Sequence, residues 1–379
     1  MVFGGRVNRF LNLAGIHLSV KTGNSVLKDR KNTASVFEEK DMRKRFNALI
    51  SVLLVFSMLL PFTSANGATD DANPVAAIVA DSSAKSSYVF QPKVCSVFME
   101  EVFGKTMCEA WGNLVDAVLA GEDTFACSDQ HTYDWVMGQF PKHCLPILPE
   151  LIDYAYDRSH SVKNGVASFT WCVSPEEASA RIAEFGEQIE EILNTALRDD
   201  DTDFEKAVAL YDYFYQNYQY DWETYEESRE KYVETTPMHL FRTGRGICSE
   251  IAPAYSYLLM QAGVEATTMM GPDHEWSYVR ISGHEYHIDP TYVLDSEESF
   301  AFFMMTDEQR ALTGFPRDDM FITSNYAKDH PHPAYKADDS TFSVLWDYQF
   351  EGLLREENKL RCWQYSEGWE KAYLDFNYD

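Results

Sequence analysis

The sequence predicts an α+β fold: a helix that begins on a cysteine, packed on an antiparallel sheet bearing a histidine and an aspartate. A smaller α+β accessory domain is expected on its N-terminal side. Three observations carry this reading. Apolar residues recur at helical spacing directly after Cys248, and two alternating runs flank a Ser282-Gly283 turn. Two well-capped helical stretches precede both.

The chain has 379 residues, room for one large or two medium domains. Arg43-Lys44-Arg45, the apolar run Ala48 to Leu60, then Pro61 and Thr63-Ser64-Ala65 form the three parts of a secretory signal. The apolar run is short for a membrane span, which needs about 20 residues. Residues 1–65 are therefore expected to be an extension plus a cleaved signal, with Met42 as the expected start and maturation near Asn66. An uncleaved anchor is the alternative. The next cysteine is Cys95, too distant for a lipoprotein-type anchor. Residues 66–90, rich in Ala, Asp and Ser, read as a flexible leader.

Residues 91–174 read as the accessory domain. Helical stretches are expected around Val94–Gly104 and Ala110–Ala120, then a Pro-marked segment from Phe140 to Pro149. Strands near Leu151–Tyr156 and Val166–Val173 follow, with a turn at Lys163-Asn164-Gly165. Ser174-Pro175-Glu176-Glu177 starts a helix that runs to about Leu197: an N-cap, a proline at the first helical position, then acids in the first turn. Asp200-Asp201-Thr202-Asp203 breaks it, and a second helix runs from Asp203 to Tyr218.

Gly246-Ile247-Cys248 leads into Ile251, Ala254, Tyr255, Leu258 and Leu259, an amphipathic helix with Pro253 in its first turns and Gly263 as its C-cap. A thiol at the positive end of a helix is favoured as thiolate. Gly244 and Gly246 are read as leaving room for a substrate backbone. His274–Ile281 and His284–Thr291 then form two strands. With a two-residue turn, Val279 faces Tyr286, Ile281 faces His284 and Ser277 faces Ile288. Asp289 then lies opposite Trp276 and diagonal to His274, roughly 7–8 Å away by backbone. A slip of one residue would separate them. His284 and His287 are the competing bases: the first belongs to the other face, the second lies deeper.

Cys248, His274 and Asp289, in that order, supply a nucleophile, its base and an orienter, as thiol-based acyl transfer requires. Trp276 is a candidate substrate-binding residue that would shield a thioester or simply pack. The histidine spacing lacks a paired i, i+4 arrangement, so no metal or cofactor is expected.

These residues resemble the core motif of the transglutaminase-like superfamily. The resemblance rests on Gly246-Ile247-Cys248 with its helix, His274-x-Trp276 and Asp289-Pro290-Thr291. Asp203-Phe204-Glu205-Lys206-Ala207 and the aromatic run from Leu210 to Asp221 are similar to the preceding helix of secreted bacterial members. The accessory region resembles theirs as well. The resemblance implies a papain-like core over 175–325, with Cys248 as nucleophile, His274 as base and Asp289 as orienter. Here Glu275 and Ser277 flank Trp276 where many bacterial members have a small residue and Asn, a departure that bears on substrate preference. Peptidase, amidase or cross-linking chemistry on a protein or peptide substrate follows from it. A non-catalytic cell-surface binding module with an idle triad is the alternative.

Residues 300–305 are expected as a buried strand, and 326–379 as an aromatic segment packing on the core or forming a polysaccharide platform. His330-Pro331-His332-Pro333 reads as a loop. Without residues 1–65 the chain keeps 22 basic and 56 acidic residues, a net charge of −34, which repels nucleic acid and anionic lipid and suits solubility or a cationic or neutral substrate. Seven cysteines leave six beside Cys248: Cys95, Cys108, Cys127, Cys144, Cys172 and Cys362. Export would allow up to three disulfides among them.

Overall fold

The computed structural model describes residues 87–154, 161–231, 233, 235–294, 299–322 and 335–378. The expected signal, most of the expected leader and residues 330–333 lie outside the described residues. The last part of the leader is pinned. Tyr88 and Phe90 donate their amides to Asn194 and Glu190 (3.0 Å each), and the Phe90 ring meets Phe185 edge-on. An extended strap replaces the flexible reading there.

Helices α1 (Val97–Phe103) and α2 (Lys105–Ala120) follow, jointed at Gly104 and closed by Gly121, both at positive φ. Strand β1 (Thr124–Ala126), helices α3 (Gln130–Gly138) and α4 (Phe140–Cys144), and strands β2 (Ile152–Tyr154), β3 (Val162–Lys163) and β4 (Val166–Trp171) complete this region. The sheet runs β1-β4-β2, with β3 also on β4 across a tight turn at Asn164 and Gly165, both left-handed. The predicted strand pair β2 and β4 is thus present and directly paired, with the short β3 between them in sequence.

Helix α5 (Pro175–Ala196) starts where the Ser174 cap placed it: the hydroxyl accepts the Glu177 amide at 3.2 Å. Helix α6 (Asp203–Asn217) has a capping box between Thr202 and Glu205. Helices α7 (Trp222–Glu230) and α8 (Pro237–Thr243) and the short parallel pair β5 (Gln219–Tyr220) and β6 (Arg245–Gly246) lead into α9 (Cys248–Gln261). Every residue of α9 from Glu250 onward is buried.

Helix α9 lies on the sheet of β7 (Glu265–Met270), β8 (Glu275–Ile281), β9 (His284–Ile288) and β10 (Phe321–Ile322), ordered β10-β7-β8-β9. Ser256 pins helix to sheet, its hydroxyl 2.8 Å from both the Thr267 carbonyl and the Ser277 hydroxyl. The predicted register holds: Ser277 pairs with Ile288, Val279 with Tyr286 and Ile281 with His284, around Ser282 and Gly283 at positive φ.

Residues 300–305 depart from prediction. They form a short 3₁₀ turn (Phe300–Phe302), and Met305 makes one antiparallel bridge to His287. Apolar side chains can be buried from a turn as well as from a strand, and periodicity does not separate the two over so few residues. Helix α10 (Asp307–Leu312) comes next, then a separate sheet of β11 (Gln349–Leu354), β12 (Lys359–Tyr365) and β13 (Lys371–Asn377). Leu360, Cys362 and Phe376 turn inward, and Phe342 stacks on Phe204 of α6 at 4.8 Å. The tail packs on the core without extending its sheet. One apolar cluster runs from Met99 through Leu258 to Leu360, so the accessory, central and C-terminal segments share a core.

Candidate active site

Cys248 is the first residue of α9. The approach is set by β6 pairing with β5, the Asp221 amide donating to the Gly246 carbonyl at 2.8 Å. Glu250, one turn on and almost fully buried, reaches back to accept the Ile247 amide at 2.9 Å and contacts His239 Nδ1 at 3.0 Å. Burial pushes its carboxyl up. A Cβ on Gly246 would come within 3.1 Å of both Glu250 Oε2 and Leu240 Cδ1. The glycine therefore makes room for Glu250, not for the substrate backbone expected there.

His274 and Asp289 meet as the register required, with Nε2 2.7 Å from Oδ2. The imidazole also feels the Cys248 side chain, whose negative charge favours the imidazolium. Burial works against the imidazolium, yet the Asp289 charge outweighs it and holds the His274 pKa up at about 10. Asp289 is inaccessible to water. Burial opposes its charge, but His274, Arg310 and the Thr291 amide (3.2 Å) keep its carboxyl below the usual range. The imidazole is hydrogen-bonded to the carboxylate and coupled to the cysteine at a helix N-terminus, an arrangement that can form and resolve a thioester.

Residues 191–297 match the family model described as the transglutaminase-like superfamily. This chain carries a transglutaminase-like domain. Two solved structures show a low similarity. A candidate cysteine protease from Cytophaga hutchinsonii shares 20% identity over 24% of this chain and 32% of its own, with a TM-score of 0.21. A TGase shares 14% over 33% of this chain and 41% of its own, with a TM-score of 0.25. The chain thus spans less than half the length of either. No curated protein matches it.

Within the transglutaminase-like domain, Trp276 packs, the second of the two roles expected for it. Its ring is fully buried, and the indole N–H donates to His287 Nδ1 at 2.9 Å, so it cannot take up substrate. It backs His274 at a ring distance of 6.0 Å. His287 is no base either: burial lowers its pKa, and Nε2 contacts Asp307 Oδ1 at 2.9 Å. His284 is turned outward beside Asp339. The two departures beside Trp276 also serve internal contacts. Glu275 binds Lys142 of α4 at 3.1 Å, and Ser277 donates to the Ala252 carbonyl of α9 at 3.1 Å.

Sequence reasoning missed Arg310, Asp307, Glu250 and Tyr292. Tyr292 is partly exposed, 5.4 Å from the His274 ring, and forms the outer wall. Arg310 and Asp307 share α10, whose start could have been found: Thr306 caps it through the Gln309 amide at 3.1 Å. Nothing local marks either residue as a partner of the site.

No disulfide joins the seven cysteines in this structure. Cys95 and Cys108 have sulfurs 3.0 Å apart, and Cys144 meets the Met99 sulfur at 3.7 Å. Cys127 bonds opposite Gly165, whereas Cys172 bonds to Leu151. The six residues of extended β4 hold these two roughly 20 Å apart. Among the described residues no group of three or more potential ligands could hold a metal, and no helix is long and apolar enough to cross a membrane.

Proposed function

We propose that this chain is an exported cysteine enzyme acting on amide bonds of protein or peptide substrates through a thioester. The observation that carries it is His274 bonded to Asp289 at 2.7 Å and electrostatically coupled to Cys248 at the start of α9. Export rests on the basic, apolar and small-residue segments of 43–65.

The Cys248 sulfur attacks the carbonyl carbon, and the oxygen takes the charge. The Cys248 amide, one of the four that a helix leaves unpaired at its start, is the first oxyanion donor. As the C–N bond breaks, the His274 imidazolium passes its proton to the departing amine. The thioester remains. His274 then takes a proton from water, which releases the acid, or from a primary amine, which forms a new amide. Asp289 holds the ring through both steps. Water needs no dedicated acceptor site, so hydrolysis is the default outcome.

Incubating the secreted protein with a peptide library, with and without a primary amine, tests this by mass change. Hydrolysed peptides are expected in both arms and amine-tagged ones only in the second. A Cys248→Ala protein giving the same products would sink the proposal.

A further inference from the structure

Arg310 has no part in the chemistry above, yet it is inaccessible to water and ends at the site. Its Nη1 stands 3.0 Å from Asp289 Oδ2, the oxygen that also receives His274. Its guanidinium lies 4.0 Å from the Trp276 ring centre and 4.5 Å from that of Phe315. None of its three nitrogens has an aligned hydrogen bond. A buried arginine kept for structure alone would use its five donors on carbonyls. This one is held by two ring faces and one carboxylate charge. The same helical turn fixes one of those rings, since Asp307 binds His287, which receives the Trp276 indole.

We propose that Arg310 is a positioning residue of the Cys248–His274–Asp289 line, a cation that keeps Asp289 ionised whatever the charge on His274. The inference rests on the function proposed above. With Arg310 present, the thiol–imidazole and thiolate–imidazolium states are both electrically neutral as a four-residue group. The proton can therefore move between Cys248 and His274 without stranding a buried anion. Without it, both states carry one uncompensated negative charge, and His274 is the only cation left to answer it. The titratable groups facing the pair are Cys248 from α9, Asp273 before β8, and Tyr292. Behind Trp276 stand His287, Asp307 and Arg317.

The test compares the full chain with Arg310→Met, Arg310→Gln and Arg310→Lys. The rate of Cys248 alkylation by iodoacetamide is followed against pH, beside kcat and KM. Losing a cation disfavours every nearby anion, so the acid limb of alkylation should move to higher pH by about one unit in the two neutral variants. Their kcat should fall about tenfold or more with KM little changed, and Lys should restore much of both. Gln guards against collapse of the slot left by Met. Folded neutral variants whose acid limb matches the wild type would overturn the proposal, as would a lysine variant no better than Met. Alkylation needs no amide substrate. A chain that alkylates normally but turns over no amide would refute the proposed function and leave the Arg310 reading to the acid limb.

Discussion

Lys142 of α4 reaches Glu275 on β8, with Nζ 3.1 Å from Oε1 and both side chains largely buried. The N-terminal region is thereby tied to the residue next to His274, the part of the sheet where a small rotation would cost the coupling to Cys248. A pair this sheltered is worth more than an exposed one. A double-mutant cycle with Lys142→Ala and Glu275→Gln should give a coupling of about 1 kcal/mol in unfolding free energy. Additive losses would show that the contact is incidental.

Cys248→Ala and His274→Ala should each abolish amide turnover, by on the order of 10⁴-fold or more, with unchanged far-UV spectra. Asp289→Asn should cost less in rate, because orientation is only part of the catalysis. It should nevertheless be the least stable of the three, by about 3 kcal/mol, since it leaves the buried Arg310 charge without an anion. Urea denaturation of all three variants checks the order.

His274 gives stability a definite pH dependence. Its folded pKa is raised to about 10, so its contribution is complete below the unfolded value of about 6.5 and is lost as pH rises toward 10. Unfolding free energy should fall over that window, with a limiting slope of about 1.4 kcal/mol per pH unit. In His274→Gln the His274 share of that slope should vanish. An equal slope in the variant would mean that the Asp289 pairing does not bear on folding.

Thiol titration under denaturing, non-reducing conditions separates the cysteines. In an oxidising compartment Cys95 and Cys108, with sulfurs 3.0 Å apart, are placed to close one bridge, leaving five of the seven thiols free. A count near one would restore the three-bridge expectation and require Cys127, Cys172 and Cys362 to leave their present positions.

N-terminal sequencing of the secreted form should begin near Asn66. A mature chain that still carries residues from 1–60 would refute cleavage of the signal.

Short-range physics was readable in the sequence. The caps at Ser174 and Thr202, the helix opening on Cys248 and the register around Ser282-Gly283 each depend on residues a few positions apart. The register around the two-residue turn pairs Ser277 with Ile288, and so sets His274 and Asp289 at the same end of the hairpin. Other features depended on partners far along the chain. Arg310 meets Asp289 across 21 residues, and Lys142 meets Glu275 across 133. Trp276 was sealed from substrate by Arg310 and Phe315, whose positions no local pattern encodes. The run 300–305 was apolar enough for a strand, but it turned instead to place Met305 against His287. Spacing and capping are local free-energy terms and can be read from sequence. A buried charge or a pair of thiols finds its partner only after the chain has packed, so the support behind the triad and the fate of the cysteines were decided by tertiary structure.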